Sequence, residues 1–212
     1  MMESKFDRLV EEYQQVIPFQ IRFKDESWEM QLLNIFLVWF CPGFLTSYTT
    51  VIGSKIYFPS ERFIQEDPNR AIRILAHELV HLLDAEKSST PVFMLGYVFP
   101  QVLALGVFLF PLIGFWALAF WVFLLPIPSR FRFHYEARAY AIDYITYPYL
   151  DREAYLDRIT EHFSGWGYYK MFPYPEEAKD TIMHWVEQAE NGSDPILTKV
   201  LLVYEMVSES GA

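Results

Sequence analysis

The sequence predicts an α+β fold, mostly helical, with one small antiparallel β-hairpin and an inserted apolar helical hairpin. Three observations carry that expectation. Apolar residues recur at helical spacing along most of the chain, the mark of amphipathic helices. One pair of short β-branched and aromatic runs, 47–52 and 55–58, flanks a Gly-containing turn. Val92–Ile127 contains no Asp, Glu, Lys, Arg or His, whereas a surface helix ordinarily keeps charge on its outer face.

Residues 4–17 place Phe6, Leu9, Val10, Tyr13 and Ile17 on one helical face before Pro18, which cannot continue a helix. A second apolar run, Leu32–Phe40, stops at Cys41-Pro42-Gly43; its length suits a buried element better than a membrane span. Ser47–Ile52 and Lys55–Phe58, joined through Gly53-Ser54, form the β-hairpin. Asp67-Pro68 supplies a helix N-cap followed by proline at the first helical position, opening a helix that extends to about Lys87. The uncharged stretch is interrupted by Pro111 and Gly114, and charge returns at Arg130 and Arg132. A helix rich in small residues follows from about Phe133 to Tyr147. Helices over 151–163, 176–190 and 195–207 complete the chain, separated by Gly165 and Gly167, Pro173 and Pro175, and Asn191-Gly192-Ser193.

The composition narrows the function. Of the 212 residues 52% are hydrophobic and 18% aromatic, against 21% charged, and the net charge is −10. That balance argues against nucleic acid, which asks for a basic face. Cys41 is the one cysteine, so neither an intrachain disulfide nor a cysteine-based zinc cluster can form. The first residues are polar and lack the apolar core of a secretory signal peptide.

The chemistry-bearing feature is His77-Glu78-Leu79-Val80-His81. Histidines at i and i+4 share one helix face, so both imidazoles can reach one ion. Zinc takes imidazole nitrogen readily, and a catalytic zinc site keeps one position for water beside three protein ligands. Bound water there has a pKa near ~7, and Glu78 is placed to take its proton and pass it to a leaving amine. One Zn2+ is therefore expected. The third ligand is Glu136 by preference, on a second helix flanked by Ala137 and Ala139 that lets the two helices approach closely. Asp143, Asp84, His134 and His162 are the alternatives. Asp143 is also a candidate hydrogen-bond acceptor for a ligating histidine. Tyr140 and His134, with Tyr135 and Tyr144 behind them, are candidates for stabilising the transition state.

The HExxH motif, the apolar insertion, Ser129-Arg130 and Glu136-x-x-Ala139 resemble the HtpX and CAAX-prenyl-protease family of integral-membrane metallopeptidases, which belong to the gluzincins. The resemblance implies a zincin-like catalytic domain, zinc endopeptidase activity, His77, His81 and Glu136 as ligands and Glu78 as general base. The position that carries aspartate in that family's second motif is Tyr140 here. Gluzincins pair an edge strand near the zinc with extended substrate, a role for which Lys55, Ile56, Tyr57 and Phe58 are candidates; the alternative is a strand in the sheet's interior.

The ligand positions lie on either side of the apolar stretch and must meet at one ion. A returning hairpin brings the chain back; a single crossing would separate the ligands. The stretch is long for one span of roughly 20 residues and short for two, so a hairpin dipping into the bilayer is expected. Lys87, Arg130 and Arg132 place both feet on the cytoplasmic side. The expected organisation is an N-terminal part of the catalytic domain over 1–90, a membrane-inserted hairpin over 91–128 and a C-terminal helical part over 129–212. The expected partners are a protein or peptide substrate and membrane lipid, with an oligomer compatible. Two other readings are a membrane-anchored zinc-binding scaffold without turnover, and a soluble metallopeptidase whose hairpin mediates oligomerisation.

Overall fold

The computed structural model describes residues 4–38, 42–168 and 170–209. Helix α1, Lys5–Val16, starts at Ser4, whose hydroxyl accepts from the Asp7 amide while the Asp7 side chain reaches back to the cap. This reciprocal box satisfies two otherwise orphaned amides. α1 buries Phe6, Leu9 and Tyr13, one face at helical spacing. Strand β1, Gln20–Phe23, follows, and then α2, Trp28–Leu37.

α2 does not form the buried element that its apolarity suggests. Met30 and Leu33 pack towards Phe44 and Tyr57, while Leu32 and Ile35 face outward. The helix has one neighbour face and therefore one buried stripe. The last part of the predicted run, Trp39 and Phe40, and Cys41 at its stop lie outside the described residues.

The expected antiparallel pair forms, and the sheet extends beyond it. β2, Thr50–Ile52, and β3, Lys55–Phe58, are antiparallel around Gly53, whose φ of 60° suits a residue without a Cβ. β1 then adds in parallel on the other side of β3, with Gln20 opposite Lys55 and Phe23 opposite Phe58. The order is β1-β3-β2, so the sheet is mixed. Lys55, Ile56, Tyr57 and Phe58 consequently form the central strand and not an edge. Ile56 and Phe58 are fully buried and Tyr57 nearly so; a strand covered on both faces has few places for polar groups. Its backbone ladder is occupied on both sides, which leaves no room for a substrate strand. The free edges among the described residues are β1 and β2, and β2 packs beside the long helix described next.

α3, Glu61–Glu66, leads into α4, Pro68–Ser88. The Asp67 side chain caps α4 by accepting from the Arg70 amide at 2.9 Å, with proline in the first turn. α4 is central: Ile72, Leu75, Ala76, Leu79, Val80 and Leu83 are buried in one core with residues of α1, β3 and the C-terminal helices. α7, Arg130–Thr146, lies beside it. Ala139 and Ile142 face the α4 core. Ala137 and Ala141 face a second core built with α8, Arg152–Ser164, and α9, Pro175–Glu190. The small side chains let α7 sit tightly between the two. α10, Pro195–Glu209, packs back on α1 and α4. The parts before and after the apolar insertion therefore share one core.

A buried charge network ties these helices. Arg138 on α7 donates to Asp84 on α4, and to Asp194 ahead of α10 at 2.7 Å. Such a pair contributes little to net stability against an apolar replacement, but removing one partner strands a buried charge.

The apolar insertion folds back on itself. α5, Thr90–Val98, is followed by two 3-10 arms, Gln101–Leu109 and Gly114–Leu124, with a single turn of helix, α6, Phe110–Ile113, at the tip. The chain reverses at Gly114, φ 58°. The arms pack together so closely that a Cβ on Gly106 would run into the Phe120 ring. The most apolar 18-residue window of Gln101–Leu124 has a mean hydropathy of 2.4, and only 11% of that window is buried; at the tip Leu112, Phe115 and Trp116 are about four-fifths exposed. With a rise of ~2.0 Å per residue each arm extends about 20 Å, less than the ~30 Å of a bilayer's hydrocarbon core. The feet are joined: Ser129 Oγ donates to the Phe99 carbonyl, and Gln101 Nε2 to the Ile127 carbonyl at 3.1 Å.

Candidate metal centre

α4 presents His77 and His81 one turn apart, their rings 5.0 Å apart and edge-to-face. α7 brings Glu136 against them. All three are buried, and their potential ligand atoms lie within 4.8 Å of one another. Glu136 Oε2 is 3.7 Å from His77 Nε2, and Oε1 is 3.8 Å from His81 Nε2. These separations are too long for hydrogen bonds. They are close to the ~3.4 Å between ligand atoms that sit ~2.0–2.1 Å from one tetrahedral ion.

The histidine orientations are set from behind. Asp143, two turns along α7 from Glu136, is 2.9 Å from His77 Nδ1. A carboxylate oxygen accepts here, so Nδ1 carries a proton, and Nε2, the nitrogen that faces Glu136, is the one left to ligate an ion. Tyr155 Oη donates to the same Asp143 oxygen at 3.2 Å. His81 Nδ1 is buried without a hydrogen-bond partner among the described residues. Two imidazoles and a carboxylate converging in a buried pocket are the donor set of a catalytic zinc site, and the residues present fit such an ion.

The electrostatics are those of a site short of positive charge. Burial pushes the Glu78 carboxyl up to about 7, an effect that His77 partly offsets and Glu136 and Asp143 reinforce. Burial pulls His81 down to about 4, leaving it neutral and able to ligate at neutral pH. Burial would raise Glu136 too, but the imidazoles of His77 and His81 and the Arg132 guanidinium hold it at about 2. Burial likewise opposes charge on His77, yet Asp143, Glu136 and Glu78 outweigh it and hold the imidazole well above its ordinary value. Three buried carboxyls around two histidines thus favour a cation at their centre; a divalent ion supplies that charge without a proton.

The other predicted residues divide. Tyr140 stands at the site, its ring 4.7 Å from that of His77. His134 does not: two residues before Glu136, it lies on a different face of α7, is exposed, and packs on Trp185 at 5.3 Å. It is neither a ligand nor a transition-state stabiliser. Asp84 is engaged by Arg138, and His162 packs on the Tyr168 ring at 4.6 Å.

Sequence reasoning missed an aromatic cage around Glu136. Tyr97 Oη donates to Glu136 Oε1, and Tyr168 Oη to Oε2 at 3.4 Å. Tyr168 Oη also shares a 2.6 Å hydrogen bond with Tyr140 Oη. The Arg132 guanidinium lies 5.1 Å from the Tyr97 ring and 5.3 Å from that of Tyr168, within cation–π reach. Arg132 therefore turns inward, leaving Lys87 and Arg130 as the exposed basic residues near the feet. The available signal was Tyr97 itself, one of few polar groups in an uncharged stretch.

A water held at this centre would have a carboxylate of suitable basicity one residue from the first ligand, which is the arrangement for metal-assisted hydrolysis. No protein-family model matches the chain, and neither a curated protein nor a solved structure does.

Proposed function

We propose that the chain is a zinc-dependent endopeptidase, zincin-like and akin to the HtpX and CAAX-prenyl-protease type, acting on proteins at or near a membrane. The observation that carries this reading is the convergence of Glu136 on the two histidines of a HExxH helix, with Glu78 buried between them in sequence. A structural zinc site has no use for such a base.

Zinc, when bound, acts as a Lewis acid and brings the pKa of a water to ~7. With zinc held by His77, His81 and Glu136, Glu78 would be the base that takes a proton from the attacking water and gives it to the amine nitrogen as the peptide C–N bond breaks. Asp143 keeps His77 in the tautomer that ligates. Tyr140, with its hydroxyl steadied by Tyr168, is the transition-state stabiliser of this reading. Extended substrate is assigned to the free edge of β2, the strand beside α4, where backbone pairing holds a peptide without regard to its sequence.

The purified full chain in detergent, loaded with zinc, is expected to cleave an unfolded protein such as casein. Cleavage should stop with a chelator and return when zinc is restored; activity indifferent to chelation would overturn the reading.

The apolar arms are assigned to the bilayer, dipping in and returning, with both feet and the metal on the cytoplasmic side. The exposure of Gln101–Leu124 and its lack of charge support this, because lipid tolerates closely packed helical backbone that satisfies its own polar groups. After carbonate washing the chain should stay with the membrane pellet, and its release into the supernatant would count against insertion.

A further inference from the structure

The apolar insertion and the ligand cluster meet at one side chain. Tyr97 lies in the last turn of α5, the helix that feeds the first arm. Its hydroxyl donates to Glu136 Oε1, and its ring stands edge-on to His81 at 6.0 Å. Phe93, one turn earlier, also packs 6.0 Å from His81 and 5.9 Å from Tyr97. Two residues beyond Tyr97, the Phe99 carbonyl accepts from Ser129 at the other foot. Tyr97 therefore lies between the ligand cluster and the joined feet.

We propose that Tyr97 is a positioning residue, which orients Glu136 as a metal ligand and couples that ligand to the seat of the membrane hairpin. The inference rests on the reading of His77, His81 and Glu136 as a zinc site. A carboxylate has about four acceptor positions, so Glu136 can take the phenol and an ion together. Tyr168 is the weaker holder, because its hydroxyl is 3.4 Å from Oε2 and also engages Tyr140. Loss of a hydrogen bond behind a metal ligand typically costs ~10–100-fold in metal affinity or activity. The coupling runs through geometry: a shift of the feet carries Tyr97 away from Glu136, and the ligand loses its fixed orientation.

The test uses the full chain in phosphatidylcholine nanodiscs, with zinc affinity read by competition with a chromophoric chelator and the site read by the visible absorption of bound cobalt. Tyr97→Phe should bind zinc about 10–100-fold more weakly and change the cobalt bands. A merely structural tyrosine would lower stability and leave the bands of the folded fraction alone. Affinity and spectrum equal to wild type would overturn the proposal, as would weaker binding with unchanged bands. If Tyr97→Phe does not fold, Ser129→Ala decides, since it removes one of the two bonds that join the feet and leaves the phenol in place. Weaker zinc binding with altered cobalt bands in that variant supports the coupling, and wild-type behaviour overturns it. A wild-type chain that binds no zinc sinks the metal reading itself, an outcome distinct from either variant's result.

Discussion

Glu78→Gln should lose about 10^2–10^4-fold in peptidase turnover, about 3–5 kcal/mol of barrier, while retaining zinc. The substitution keeps the side chain's volume and removes its ability to take a proton. Glu78 is not among the three residues whose potential ligand atoms converge, so metal content should be unchanged. Its environment is suited to the role. Burial alone would keep a carboxyl protonated, yet His77 moderates the shift and leaves Glu78 at about 7 before any ion is added. A base near neutrality both accepts and returns a proton readily. Zinc quantified by atomic absorption, beside the rate on an unfolded protein, separates the outcomes. Undiminished turnover would remove Glu78 from the mechanism, and loss of zinc together with activity would make it a structural element of the site.

Glu136→Ala should lose the metal. Two histidines remain, and a catalytic zinc site needs three protein ligands, so affinity should fall well beyond the ~10–100-fold typical of a lost second layer. The change also removes the acceptor for Tyr97 and Tyr168 and a carboxylate that favours the charged form of Arg132. Some loss of stability should therefore accompany the loss of zinc, because a buried cation left without its partner is costly. Glu136→Gln separates the two effects: it keeps the acceptor oxygen for a phenol but provides a poor ligand. Dialysis against a weak chelator followed by metal analysis checks both. Full occupancy in the alanine variant would remove Glu136 from the ligand set.

Much of the fold was legible from local pattern. The capping of α1 and α4, the proline in the first turn of α4 and the ends of the C-terminal helices follow from residues a few positions apart. The same holds for the pair His77 and His81, whose common face is a consequence of helical pitch alone. The returning course of the apolar insertion was legible by a different route, since the candidate ligands flank it in sequence and would have to meet to share an ion.

The misreadings share a cause. β1 is four residues long with alternating exposed and half-exposed positions, too weak a signal to announce a strand. Without it Lys55–Phe58 reads as an edge; with it that strand is central. His134 and Glu136 are neighbours in sequence, but which face of α7 meets α4 depends on where alanines allow close approach. α2 shows the same limit: its apolarity does not say that only one of its faces finds a neighbour.

Helix identity, capping and the paired histidines are properties of spacing along the backbone, which covalent geometry imposes wherever the segment lies. Pairings such as His77 with Asp143, 66 residues apart, and Tyr97 with Glu136, 39 apart, arise only when packing sets one helix against another. Which of several acids stands against the two histidines, and which phenols hold it, therefore waited on the close contact of α4, α5 and α7.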